Sequence, residues 1–120
     1  IRILSRYAGR YSLCARIKRD TNPTEDIEAS AHLYAMLKDE DVEGGFIGWR
    51  SIAKFKGRES HAVVITDVNV DKKYLDDPAA KEGAIKRVLE SLYVGVSRAN
   101  YRVKILCDET MHKVLKELGL

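Results

Sequence analysis

The stretch LYVGVSRANYRVKILC, residues 92–107, sets Arg98 where one apolar run ends and the next begins. A guanidinium at such a junction has two ordinary uses. One is a solvated cation favoured by the negative end of a helix dipole. The other is a fixed charge aimed at a phosphate, whose oxygens a guanidinium can meet bidentately. A second stretch, SIAKFKGRES, residues 51–60, combines Lys54, Lys56 and Arg58 with Gly57. A glycine between strands is usually a turn, and a basic loop is usually solvated. Here the basic loop stands directly before an apolar, β-branched run and directly after another strand-like run. His32, His61 and His112 are scattered and suggest no metal or acid–base site. Cys14 and Cys107 fit no zinc spacing; a pair this sparse reads as two reduced thiols, with a cytoplasmic, reducing compartment expected.

These residues need elements to hold them. Ile85, Val88, Leu89, Leu92, Tyr93 and Val96 fall at i, i+3, i+4, i+7, i+8 and i+11, the stripe of a core-facing helix. At about 100° per residue, Arg98 lies roughly 150° around that helix from the centre of the stripe and is predicted to point outward. Residues 62–68, AVVITDV, read as a strand covered on both faces, the habit of parallel sheets. Residues 1–5 and 46–55 read as further strands, 102–107 as a closing strand, and 109–118 as a terminal helix in which Met111, Val114, Leu115 and Leu118 repeat the stripe. Asn22 as cap, Pro23 at the first helical position and Glu25 as a capping-box carboxylate predict a helix over residues 22–38. A short helix is expected over 11–17, and a loop leading into a helix over 69–83, which contains Pro78. Strands alternating with helices predict one α/β domain, residues 1–120, with a mostly parallel sheet.

In this order the segments resemble the C-terminal core of superfamily 1 helicases of the UvrD/Rep type. Motif V of that family has the form Thr-Ile-x-x-x-Lys-Gly-Leu-Glu before a Val/Ile-rich strand, matched here by SIAKFKGRESHAVVI. Motif VI, Leu-Tyr-Val-Ala/Gly-x-Thr/Ser-Arg-Ala, is matched by LYVGVSRA. The opening ILSRYAGRYSLCARI is similar to the segment called motif IVa. The resemblance implies a three-layer RecA-like fold and an ATP-dependent DNA helicase in which two such halves clamp ATP. It implies that Arg98 is the catalytic arginine reaching the γ-phosphate, that Glu59 accepts a hydrogen bond from the ribose, and that Gly57 lets the backbone approach the nucleotide. Ser51, Lys54 and Lys56 then contact nucleic-acid phosphates, and Arg6 and Tyr7 are single-strand contacts. Gly95, Ser97 and Ala99, all small, leave room for a partner domain or simply for helix packing. Trp49 and Tyr101 read as packing residues rather than base platforms.

The sequence departs from the family pattern at Arg58, where UvrD/Rep members carry Leu and the RNA-active branch of superfamily 1 carries Arg. The interval between Arg6 and Ser51 is too short for the domain that UvrD and Rep insert there. No Gly-x-x-x-x-Gly-Lys-Ser/Thr loop occurs, nor an acidic magnesium motif. The expected partners are therefore single-stranded or duplex DNA and an N-terminal RecA-like half that holds most of the ATP and its Mg; these 120 residues alone are expected to be inactive. A start without Met fits a piece of a longer chain. RNA activity, or a non-catalytic α/β interaction module that kept the fold, are the alternatives. Composition allows all three: 45% hydrophobic and 32% charged is a globular mix, and a net charge of +3 permits an anionic partner. No membrane association is expected, because no apolar run reaches spanning length.

Overall fold

The computed structural model describes residues 1–7, 11–13, 37–38, 47–55 and 57–120. Five strands form one parallel sheet in the order β2-β3-β1-β4-β5. They are β1 Arg2–Ser5, β2 Leu37–Lys38, β3 Ile47–Ser51, β4 Ser60–Val68 and β5 Ala99–Cys107. Helix α1, Pro78–Val96, links β4 to β5, and α2, Glu109–Glu117, follows β5. The α/β architecture with a parallel sheet thus stands. Leu37 and Lys38 pair with β3 as a strand rather than ending a helix, while residues 22–36 of that predicted helix lie outside the described residues. Only 11–13 of the short helix expected over 11–17 are described.

Each helix starts where the chain supplies an acceptor for its unpaired N–H groups. Asp77 accepts from the Ala79 N–H at 3.1 Å, with Pro78 at the first helical position, where its missing N–H costs nothing. Asp108 accepts from the Met111 N–H at 2.8 Å and, with its other oxygen, from the Val70 N–H at 3.1 Å. It therefore caps α2 and ties down the chain leaving β4. A 3-10 turn, Lys72–Tyr74, capped by Asp71, fills part of the expected loop before α1.

One core joins these elements. Leu4, Val63, Ile65 and Val68 from the sheet meet Val88 and Leu92 from α1, Met111 and Leu115 from α2, and Ile52 and Phe55 from the β3–β4 connection. The buried line of α1 is Ala84, Val88, Leu92 and Gly95, rotated from the predicted stripe. Tyr93 is 81% exposed, and Val96 is exposed as well. The cause is the closeness of helix and sheet: a Cβ on Gly95 would lie 2.9 Å from Cδ1 of Ile65 and 3.2 Å from Cδ1 of Ile52. Gly95 lets the end of the helix approach the sheet closely beside buried Val88 and Leu92, while Tyr93 and Val96 fall on the outer side. Tyr93, Val96, Val103 and Leu120 instead line an open apolar groove of about 790 Å³ between α1, β5 and α2.

Candidate functional site

The candidate residues gather at the two ends of the parallel strands. At the amino end, α1 stops at Val96 and the Ser97 N–H bonds back to the Tyr93 carbonyl. Arg98 is therefore not on the helix, as the helical phase predicted, but in the turn between α1 and β5. Strand β5 accordingly begins at Ala99 rather than at 102. The Ser60 N–H donates to the Arg98 carbonyl at 2.8 Å and docks this turn on the first residue of β4, directly after Glu59. Thus Gly57, Glu59 and Arg98, far apart in sequence, share one edge of the sheet. Arg98 is half-buried, and its Nε is buried with no hydrogen-bond partner among the described residues.

Gly57 has φ +80°, a left-handed conformation that side chains resist, and open space where a Cβ would stand. Glycine is thus required by the turn, and its outer side is accessible. Glu59 and Arg58 are exposed. Burial lowers the pKa of the Arg2 guanidinium, and the like charges of Arg50 and Arg58 lower it further. Lys56 lies outside the described residues. Gly95 faces Ile65 and Ile52 in the core, so it serves helix packing rather than a partner domain.

At the carboxyl end, β1 and β3 are in register with Ser5 beside Ser51, and Ser5 is level with Thr66 of β4. Arg6 follows directly, its own N–H donating to the Thr66 carbonyl at 3.2 Å. Arg6, Tyr7, Ser51 and Lys54 are thereby brought to one edge. Ser51 is only 6% exposed, and its Oγ accepts from the Lys54 N–H at 3.2 Å. It shapes the turn that presents exposed Lys54.

Sequence reasoning missed the residue that organises this edge. Asp67 interrupts the β4–β5 pairing and holds φ +62°, which Asp tolerates better than most residues. Its Oδ2 accepts from the Ser5 hydroxyl, from the Leu13 N–H at 3.0 Å and from the Thr66 hydroxyl at 3.1 Å. Its carbonyl accepts from Arg6 Nε at 3.1 Å, while Asn69 O accepts from Arg6 Nη2 at 3.3 Å. The one available signal was an acid inside a β-branched run, where an unpaired charge would be costly.

Trp49 is buried, as a packing residue should be. Tyr101, by contrast, is 79% exposed and stacks on His61 at 5.1 Å, so it stands on the surface and not among the packed residues. Among the described residues no group of three His, Cys, Asp or Glu side chains lies together to hold a metal ion, and no helix is long and apolar enough to cross a membrane. No family model matches the chain, and neither a curated protein nor a solved structure is found to resemble it.

Proposed function

We propose that this chain is the second RecA-like half of an ATP-dependent superfamily 1 DNA helicase, with Arg98 acting on the γ-phosphate of ATP. The observation that carries the reading is the 2.8 Å bond from Ser60 N–H to Arg98 O, which joins the Gly57–Arg58–Glu59 turn and the Arg98 turn at one edge of the sheet. A nucleotide suits the residues there. The buried Nε of Arg98 lacks an acceptor among the described residues, and a phosphate oxygen would supply one. Exposed Glu59 is an acceptor for ribose hydroxyls, and the outer side of Gly57 admits a ligand against the backbone.

Phosphoryl transfer asks the protein chiefly for position and charge. Arg98 fits because its charge is permanent, and because backbone bonds to Ser60 and Gly95 fix the turn that bears it. The other half would hold the phosphates and most of the Mg. Closure between the halves would then move the carboxyl edge, with Arg6 and Lys54, along one strand.

The test uses the protein that joins this domain to its phosphate-loop half. Arg98→Ala should lower DNA-stimulated ATPase by about 10³-fold, the lower end of what an arginine finger supplies. Arg98→Lys should rescue little, since an ammonium lacks the planar fork. Folding should be little affected, because the change removes a buried donor that has no partner among the described residues. A wild-type ATPase rate in Arg98→Ala overturns the proposal. Comparing stimulation by single-stranded DNA and RNA assigns the polymer.

A further inference from the structure

A pocket of about 210 Å³ opens at the carboxyl edge, between the ends of β1 and β4 and the first half of α1. Its position is informative. The chain leaves β1 toward β2 on one side of the sheet, and leaves β4 toward β5 on the other. Adjacent strands whose connections diverge in this way leave a crevice, and open α/β sheets bind ligands there.

The lining carries three cations, Arg6, Lys73 and Arg87, with one carboxylate, Asp71. Asp71 is engaged as the acceptor that caps the 3-10 turn. Among the described residues none of the three cations makes an ion pair. They are held by other means. Arg6 is pinned by the Asp67 and Asn69 carbonyls and lies 4.7 Å over the Tyr7 ring. Lys73 and Arg87 both lie over Tyr74, at 5.0 and 5.6 Å from its ring centre. Neutral carbonyls and π faces orient a cation without cancelling its charge. The pocket is thus a preorganised positive site with donors to spare: Arg6 has five N–H groups and spends two.

The charge does not stop at the pocket. Exposed Lys54 follows β3, Arg6 follows β1, and Lys73 precedes Arg87 beyond β4. One row of cations therefore crosses three adjacent strand ends. A compact anion would use one point of such a row, whereas a linear polyanion uses all of it.

We propose that this pocket binds a backbone phosphate of single-stranded nucleic acid through Arg6, Lys73 and Arg87, extending the track from Lys54 across the sheet edge. It deepens the helicase reading and rests on it for the identity of the polymer. Neither Lys73 nor Arg87 belongs to the segments that resemble the family motifs.

The experiment is fluorescence anisotropy of the 120-residue chain with a labelled 12-nucleotide oligothymidylate, titrated across a salt series. The variant is Lys73→Ala with Arg87→Ala, both exposed positions, whose urea midpoint is checked alongside. The expected result is an affinity at least about tenfold weaker, with the slope of log K against log salt reduced by about 0.7, one single-strand phosphate contact. Unchanged affinity and slope overturn the pocket, and leave the Arg98 reading to its own ATPase test. Wild-type chain that ignores the oligonucleotide but binds inorganic phosphate in a Lys73- and Arg87-dependent way overturns the nucleic-acid assignment. Wild-type chain that binds neither overturns the site altogether.

Discussion

Replacing Asp67 isolates two terms that hold the carboxyl edge together. The first is hydrogen bonding. Ser5 and Thr66 are 1% and 2% exposed, so without the carboxylate their hydroxyls lose an acceptor that water cannot readily replace. The Leu13 N–H loses the same oxygen. A bond to a charged acceptor is worth about 1.5–3 kcal/mol, and bonds that share one oxygen do not add fully, so the total is about 3 kcal/mol. The second term is the backbone at φ +62°. A left-handed Ala costs about 1–2 kcal/mol, less about 0.4–1 that Ala gains over Gly by narrowing the unfolded ensemble, leaving roughly 1 kcal/mol between them. Asp67→Ala should therefore destabilise by about 4 kcal/mol and Asp67→Gly by about 3 kcal/mol. Asp67→Asn keeps an oxygen and tolerates the conformation; it loses the charge assistance, about half the bond term, or about 1.5 kcal/mol. Urea unfolding of the three variants gives the ranking, and a thermal scan should drop by about 15 °C for Asp67→Ala. If Asp67→Ala stays within about 1 kcal/mol of wild type, or Gly proves worse than Ala, the reasoning fails.

Two further outcomes follow from Asp108. Asp108→Ala removes the cap of α2 and the acceptor for the Val70 N–H together, about 2–3 kcal/mol by urea unfolding; Asp108→Asn keeps one acceptor oxygen but turns its NH2 toward the other N–H, so it should cost about half of that or more, and an Asn variant as stable as wild type would refute the double role. Burial, and secondly the Asp108 charge, raise the Cys107 thiol above its ordinary pKa. Because the folded value is the higher one, the associated stability is complete below the ordinary thiol pKa and is lost as pH rises from there through the folded value. Iodoacetamide labelling of Cys107 at pH 8, followed by peptide mapping, should be slower in the native chain than in urea, and Asp108→Asn should quicken it; equal native and unfolded rates refute the assignment.

Much of the scaffold was legible because it rests on local pattern. The β-branched run of β4 is readable wherever it occurs, whereas Pro78, read as part of a loop over 69–83, is the first residue of α1. The failures share a cause, namely that a neighbour in space outweighed the local rule. Gly95 approaches Ile65 closely, so the buried line of α1 runs through Ala84, Val88, Leu92 and Gly95 and leaves Tyr93, a core residue by periodicity, exposed. Arg98 was extrapolated along a helix that had already ended, because its final turn is closed by Ser97 and pulled onto Ser60. The Ser60 N–H bond to the Arg98 carbonyl brings Arg98 beside the Gly57–Arg58–Glu59 turn, a contact the helicase reading requires. The role of Asp67 could not be foreseen, since its partners come from β1 and the chain after it, far away in sequence.

The two candidate edges are the two ends of the same strand. Ser60, bonded to the Arg98 turn, and Thr66 with Asp67, which hold Arg6, are separated by most of β4, roughly 20 Å at about 3.3 Å per residue. No single side chain bridges that span. The β3–β4 connection does, leaving Ser51 at the carboxyl edge and reaching Ser60 at the amino edge, with Ile52 and Phe55 buried on the way. Ile52 also sits beneath Gly95, one turn before Arg98. On the helicase reading, a shift of Arg98 toward a nucleotide would therefore reach Lys54 through packed groups of low compressibility, not through a flexible loop. The physical requirement is a connection stiff enough to move as one body. The buried residues Ile52 and Phe55 are where that connection meets the core, so they, rather than the charged residues at its ends, are the ones such coupling would need.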